Sequence, residues 1–571
     1  MKDLLHKLNL DANAVYAGAK AVAVVAAGFA LILCFLLITN YLQTRQVDPL
    51  NSKTMDALVQ RLDENPGDAD LRDQVRTVHL LSRKAYFTNR WQLRTGGALL
   101  LVSVVLLLAA LKTMENLRRE LPNPADFPAD NNAWSTLSKA RGWVGALGAL
   151  VIGGALLTAL MAERELGPSA AAGPAEEATP PTAASATADA ALNWPAFRGA
   201  GGLGHTLLKQ PPLEWDVGAG RNVLWKVAVP LPGFSSPVVW GKRLFLTGGD
   251  ATVRKVFCFD AESGAILWEK EVATTLDNPL IAGADGHAGY AAATPATDGN
   301  YVCAIFATGD LACFDVEGNA VWARNLGRPD NHYGHSSSLI LEDGRVFVQF
   351  DQNSNSKLYA FEVATGEVAW ETGRSVISWA SPILAHTGSR SELILANCET
   401  VDAYNPQTGE QLWSVACMAG EMGPSPAWAD GLVFAANDYA RAVGIRATGN
   451  NAQVIWEFDE DLPDAASPLA TARYLYLPTS YGFLVCLDAK TGEKIWDAEF
   501  DYGFEASPIS TGEYIYALDK GGTMHIFRPG DTYTSVADIP LGEKSGSTPA
   551  LVEGRIYIRG EEHLFCIGTG D

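Results

Sequence analysis

The chain has 571 residues, 43 of them basic and 65 acidic, with 48% hydrophobic residues, 15 Trp and 8 Cys. A hydrophobic share of that size excludes a mainly disordered chain, and the formal charge of −22 excludes duplex nucleic acid as the main partner, because phosphate binding needs a basic surface. Eight cysteines in such a length exclude a disulfide-built scaffold.

The charge is uneven along the chain. Residues 1–192 hold 18 basic and 18 acidic residues, whereas 193–571 hold 25 and 47 and therefore the whole −22. The first region, 1–162, reads as a membrane anchor. It contains three uncharged apolar runs, 21–39, 96–111 and 142–161, each near the length that crosses about 30 Å of hydrocarbon as a helix. Trp91 and Trp143 flank the second and third runs, where an indole suits the headgroup zone. The first run is followed by Asn40-Tyr41-Leu42 rather than a small-x-small cleavage site, and Leu33 precedes Cys34 where a lipoprotein signal needs a small residue. It therefore reads as a retained anchor.

Lys112, Arg118, Arg119, Lys139 and Arg141 place the loop before the third span in the cytoplasm and the C-terminal region outside, in the periplasm of a bacterial inner membrane. The basic residues of 40–95, among them Arg83 and Lys84, oppose that orientation. Within 52–94, Met55, Leu58 and Leu62 precede the breaker Asn65-Pro66-Gly67, and Leu71, Val75 and Val78 follow it, which predicts a helical hairpin. Residues 163–192 are rich in Ala, Pro, Thr and Glu and form no core, so they read as a flexible tether.

From Asn193 to Asp571 an internal repeat dominates. A strand ending in a small residue or Cys recurs at Cys258, Cys313, Ala360, Ala403, Gly444, Cys486, Ile526 and Cys566, 40 to 55 residues apart. A Trp follows on the next strand at Trp268, Trp322, Trp370, Trp413, Trp456 and Trp496, with Val536 in the seventh place. The last repeat lacks that strand, and Trp225 near the start supplies it, so the N-terminal strand closes the ring. A small-small-Pro opens each unit at Pro237, Pro295, Pro382, Pro426, Pro468, Pro508 and Pro549, with Leu339 as the exception. The fold class is thus an all-β eight-bladed β-propeller preceded by an α-helical transmembrane region. The recurring cysteines read as small core residues; a disulfide between Cys303 and Cys313, on paired strands, is the one bond the pattern allows.

Units such as Leu484-Val485-Cys486-Leu487-Asp488-Ala489-Lys490-Thr491-Gly492-Glu493-Lys494-Ile495-Trp496 resemble the PQQ-like β-propeller repeat. That family includes quinoprotein alcohol and glucose dehydrogenases and a non-catalytic outer-membrane assembly factor, and the opening Asn193-Trp194-Pro195-Ala196-Phe197-Arg198-Gly199 is similar to the start of many bacterial members. The resemblance covers residues 193–571 and speaks to fold rather than activity.

A quinoprotein enzyme would need Ca²⁺, basic groups on the PQQ carboxylates and a catalytic carboxylate. The sequence has no adjacent Cys pair and no Cys-x-x-Cys-His haem motif, and its later repeats are short and regular. No catalytic, cofactor-binding or metal residue is therefore assigned, and no cofactor is expected, PQQ with Ca²⁺ being the alternative. The residues just ahead of each small-small-Pro should rim a central funnel: Phe234, His335, Trp379, Glu421, Asp464, Glu505 and Lys544, with His287 and His332 nearby. His332-x-x-His335 is a loose metal pattern, and a polar, water-filled funnel is the simpler reading. The expectation is a membrane-anchored scaffold or assembly subunit for protein partners. Its alternatives are a membrane-bound quinoprotein dehydrogenase and a ligand-binding sensor.

Overall fold

A computed structural model describes residues 12–46, single positions from 61 to 97, most of 99–117, and 192–569 apart from 207–211, 275–288, 332, 388–389 and 553. The first element is helix α1 (Ala12–Gln46). Its stretch Val15–Thr39 has a mean hydropathy of 3.0 and is long and apolar enough to cross a membrane, as an anchor or a signal sequence does. Val25, Leu31 and Phe35 stand exposed on it, and Thr39 satisfies its own hydroxyl by donating to Phe35 O at 2.8 Å. The apolar stretch begins at Val15 rather than at the expected residue 21, because Ala-rich sequence carries the helix backward. Among the described residues this is the one such helix. In the second expected span, 96–111, residues 96, 97 and 99–111 are helical and the helix continues to 115, while the third span, nearly all of the 52–94 hairpin and 163–191 lie outside the described residues.

The C-terminal region contains 32 strands in eight four-stranded antiparallel sheets. Blade one is β2 (Val238–Trp240), β3 (Arg243–Gly249), β4 (Arg254–Asp260) and β5 (Ile266–Glu271). Blades two to seven repeat this order through β6–β9 (296–325), β10–β13 (340–373), β14–β17 (383–416), β18–β21 (427–458), β22–β25 (469–499) and β26–β29 (509–540). Blade eight is β30 (Ala550–Val552), β31 (Arg555–Arg559) and β32 (His563–Ile567), completed on its outer edge by β1 (Val223–Ala228). The N-terminal strand does close the ring, with Trp225 opposite Cys566.

The two repeat columns explain each other. In every blade that has the Trp, the small residue of the third strand is its direct cross-strand partner: Cys258 faces Trp268, Ala360 faces Trp370, Gly444 faces Trp456 and Cys486 faces Trp496. The indole lies over that position, so only Cys, Ala or Gly fits; in blade seven the Trp place is held by Ala537 rather than the expected Val536, which the bulge after Ile526 skips, and the partner opposite grows to Ile526. Each indole N–H then reaches the neighbouring blade. Trp225 donates to Ala261 O at 3.1 Å, Trp268 to Val316 O at 3.0 Å, Trp322 to Val363 O at 2.7 Å and Trp456 to Ala489 O at 3.0 Å.

The acceptors sit in the Asp-x-x-Thr-Gly type turn between third and fourth strands. Its glycine has a positive φ, +74° at Gly492, and a Cβ there would come 2.5 Å from the Trp456 ring, so the turn and the docking both require glycine. Trp413 is the exception. Blade five carries a different hairpin, β20 (Ala442–Thr448) to β21 (Asn451–Phe458), and Trp413 bonds Glu392 Oε2 of its own blade instead, at 2.9 Å. The core lies between blades, as in the cluster of Phe434, Trp456, Leu475 and Val485. Cys258, Cys313, Cys486 and Cys566 are fully buried there; Cys303 and Cys313 face each other across their strands with sulfurs 2.6 Å apart.

Candidate functional site

The chain directly before each blade-opening Pro or Leu is extended and runs past the propeller axis, so alternate residues face the channel. The residue one place before is Ser or Thr in all eight blades. Each of these residues donates its backbone N–H to the side-chain hydroxyl of its counterpart in the next blade: Ser236 to Thr294, Thr294 to Ser338, Ser338 to Ser381, and Ser381 to Ser425. The belt continues from Ser425 to Ser467, Ser507 and Thr548, and Thr548 returns to Ser236 at 3.1 Å. Eight bonds of 2.8–3.1 Å thus form a closed belt inside the ring, in which every buried amide has an acceptor.

Breaking one link is testable. Ser425→Ala strands the Ser381 N–H and should cost about 1–3 kcal/mol of unfolding free energy in urea titrations. Ser425→Thr, which keeps the hydroxyl, should stay near wild type. Equal losses for both would show that packing rather than the bond is what matters.

One end of the channel is closed by residues 193–206. Trp194 is fully buried and pairs with Val239 of blade one, and Pro195 O accepts the N–H of Thr297 in blade two. Arg198, fully buried, donates to Pro426 O at 3.0 Å and Pro468 O at 2.6 Å in blades five and six. Thr206 donates its N–H to Ser510 O in blade seven. A segment tied to opposite sides of the ring lies across the axis. Its glycines make that crossing possible: Gly201 has φ +63°, and a Cβ would meet Leu384 O at 2.7 Å. Burial without a carboxylate partner lowers the Arg198 guanidinium to about 9.

The result is a blind cup of about 430 Å³, with Phe197 of the crossing segment in its lining. The belt hydroxyls form one ring of its lining, and the residues three before each Pro or Leu form the next: Phe234, Ala292, Ser336, Trp379, Gly423, Ala465, Glu505 and Gly546. Above the small members Gly423 and Ala465, Glu421 and Asp464 turn in. Tyr333 packs on Trp379 with ring centroids 5.2 Å apart and donates its hydroxyl to Glu421 Oε2 at 3.4 Å. Asp464 is held by Ser480, whose Oγ donates at 2.6 Å and whose N–H donates at 3.2 Å. Burial, helped by the charges of Asp438, Asp464 and Glu421, pushes the Tyr439 phenol well above its ordinary value and keeps it protonated.

The structure therefore brings together Phe234, Trp379, Glu421, Asp464 and Glu505 of the expected rim. His335 is a correction. It lies four places before Leu339, on the other face of the extended segment, buried and stacked on Phe350 at 5.3 Å, with Nε2 at 2.9 Å from Ser337 O. Burial pushes its imidazole down to about 4, so it is neutral and structural. Lys544 is exposed and is not part of the cup lining. His332 and His287 lie outside the described residues. Sequence reasoning missed the hydroxyl belt, although Ser or Thr before every blade opening carries it, and missed Phe197 and Arg198, which occur once and leave no periodic signal.

PQQ carries several carboxylates. Three acidic side chains line the cup and, among the described residues, no Lys or Arg does, so the residues present do not fit an anionic quinone. The one described trio of metal-capable side chains with ligand atoms within 4.8 Å of one another is Glu543, Glu562 and His563, outside the cup. Glu543 is already engaged there by the N–H groups of Glu562 and His563 and by the His563 ring.

A family model described as outer membrane protein assembly factor BamB matches residues 283–372 and 445–531. No curated protein matches the sequence significantly. Among solved structures, the quinohemoprotein alcohol dehydrogenase ADHIIG of Pseudomonas putida HK5 is 14% identical, covering 68% of this chain and 82% of its own, with a TM-score of 0.51. The quinohemoprotein alcohol dehydrogenase of Comamonas testosteroni is 12% identical over 68% and 83%, also with a TM-score of 0.51. BamB of Moraxella catarrhalis is 15% identical over 60% and 99%, with a TM-score of 0.45. Residues 193–571 form an eight-bladed propeller of the PQQ-like repeat type, matched in two stretches by the assembly-factor model and sharing its fold with quinohemoprotein dehydrogenases.

Proposed function

We propose that this chain is a non-catalytic protein-binding scaffold or assembly subunit of a membrane complex. It is anchored in the bacterial inner membrane by helices over 21–39, 96–111 and 142–161, and its propeller stands in the periplasm on the 163–192 tether. The observation that carries this reading is the cup: where a quinoprotein needs cations for its cofactor, this propeller presents Glu421, Asp464 and Glu505. The charge of −22 on residues 193–571 extends the same preference to the whole region, which favours basic partner surfaces and stays off anionic headgroups.

Affinity capture of the full chain from native membranes should recover a stoichiometric protein partner that is released as salt is raised, since surface attraction is screened beyond about 8–10 Å. PQQ with Ca²⁺ should give neither stable uptake nor dye reduction with alcohols or sugars. Stable PQQ uptake with dye reduction, or the repeated absence of any partner, would overturn the proposal.

A further inference from the structure

We propose that the cup at the propeller axis is a receptor for a single arginine side chain presented by a loop of the protein partner. This rests on the scaffold reading above and specifies its chemistry. Three features converge. The cup is a closed-ended cavity of about 430 Å³, a size typical of sites that enclose a ligand group rather than of surface dimples. Its upper wall is aromatic, with Phe234, Tyr333, Trp379 and Tyr439 in the lining, and Tyr333 and Trp379 in mutual contact. Its charge is of one sign, from Glu421, Asp464 and Glu505.

The arrangement selects among cations. A metal ion needs ligand atoms converging on one point, and these three carboxylates are not among the described groups whose ligand atoms lie within 4.8 Å of one another. Carboxylates set along an arc of three successive blades, facing aromatic side chains, suit a cation that is itself extended. A guanidinium is planar, donates in several directions and stacks on aromatic faces, so it uses both the acids and the indole. The acceptors are held in place before any ligand arrives: Ser480 fixes Asp464, and the Glu505 carboxylate stands over Gly546, where a Cβ would meet Oε2 at 2.7 Å. Preorganised acceptors lower the ordering cost of binding. The crossing segment seals the far end, so a side chain that enters stops at Phe197 and the hydroxyl belt.

The test uses the full chain in detergent micelles and an acetylated, amidated Gly/Ser heptapeptide with one central arginine, titrated by calorimetry. Its control replaces arginine with citrulline, which keeps the shape and removes the charge. The arginine peptide should bind roughly tenfold or more tightly than the citrulline peptide. Glu421→Gln/Glu505→Gln should abolish that difference without lowering the melting temperature, and Trp379→Ala should weaken arginine binding several-fold.

Equal affinity for the two peptides, or no binding of either, would overturn the assignment. Arginine amide binding as tightly as the peptide would also overturn it, because the occupant would then be a small molecule rather than a partner loop. Capture of the same partner from native membranes by wild type and by Glu421→Gln/Glu505→Gln in equal yield would remove the cup from the interface and leave the scaffold reading standing. Failure of wild type to capture any partner would remove the scaffold reading itself.

Discussion

Replacement of Arg374 by methionine will destabilise the propeller by about 3–5 kcal/mol at neutral pH, one of the largest single-residue effects expected in this chain. Its guanidinium is fully buried between blades three and four, with Nε at 2.8 Å from Asp351 Oδ1 and Nη1 at 3.1 Å from Asp402 Oδ2, and Nη1 donates to Tyr404 Oη at 3.0 Å. Burial alone would lower the Arg374 pKa, but the charges of Asp351, Tyr404 and Asp402 together raise it. Removing it leaves two carboxylates that are 0% and 5% exposed without a cation.

The pH dependence carries a sign. Burial already raises the Asp351 carboxyl above its ordinary value, against the lowering influence of Arg374. A raised group favours the folded state below its unfolded pKa and loses that contribution as pH climbs through its folded pKa. Without Arg374 the folded value climbs further. The deficit of the variant is therefore greatest at neutral pH and narrows under acid. Urea titrations at pH 7.5 and pH 4.5 read this directly. Arg374→Met/Asp351→Asn should recover part of the loss, since the stranded charge and not the missing packing is its source. A deficit independent of pH, with no recovery in the double variant, would refute the account.

What the sequence made legible follows from which interactions repeat. The Trp, the small residue opposite it and the blade-opening Pro each do one job in many blades, so eight copies amplify a signal that one copy would hide. Ring closure by Trp225 was readable because the last repeat lacked a strand that the first residues of the region possessed. The cup was half readable. Phe234, Trp379 and Glu505 sit three places before their blade openings and face the axis; farther back the alternation fails, since Asp464 and His335 share a four-place offset and only Asp464 lines the cup. The closure of the channel by 193–206 was unreadable, since it depends on Arg198 meeting carbonyls more than 200 positions away. The anchor divides similarly: apolar length marks the helix over Val15–Thr39, but composition alone sets neither its first residue nor its orientation.

The logic of the Trp column yields the second large effect and its control. Trp225→Ala will cost about 3–5 kcal/mol, because the site loses a nearly buried indole, its bond to Ala261 O and its contact with Tyr557 at 5.9 Å. It also weakens the strand that completes blade eight, so the cost falls on ring closure, and limited proteolysis should cut within 207–222 faster than in wild type. Ala537→Trp, at the seventh place, tests the converse. A repeat consensus would predict a gain of about 0.5–2 kcal/mol from restoring the seventh Trp. Each Trp except Trp413, however, docks on the turn between the third and fourth strands of the next blade. In blade eight those strands are β32 and β1, which come from opposite ends of the region and share no turn. Ala537 faces Ile526 rather than a small residue, and the new indole would find neither the carbonyl nor the glycine that most other blades supply. The variant should therefore show no gain in unfolding free energy over wild type. A clear stabilisation by Ala537→Trp would mean that the column reflects an intrinsic preference of the outer strand. No gain, beside a large loss in Trp225→Ala, would mean that these tryptophans act as fasteners between blades, with Trp413 fastened instead within its own blade.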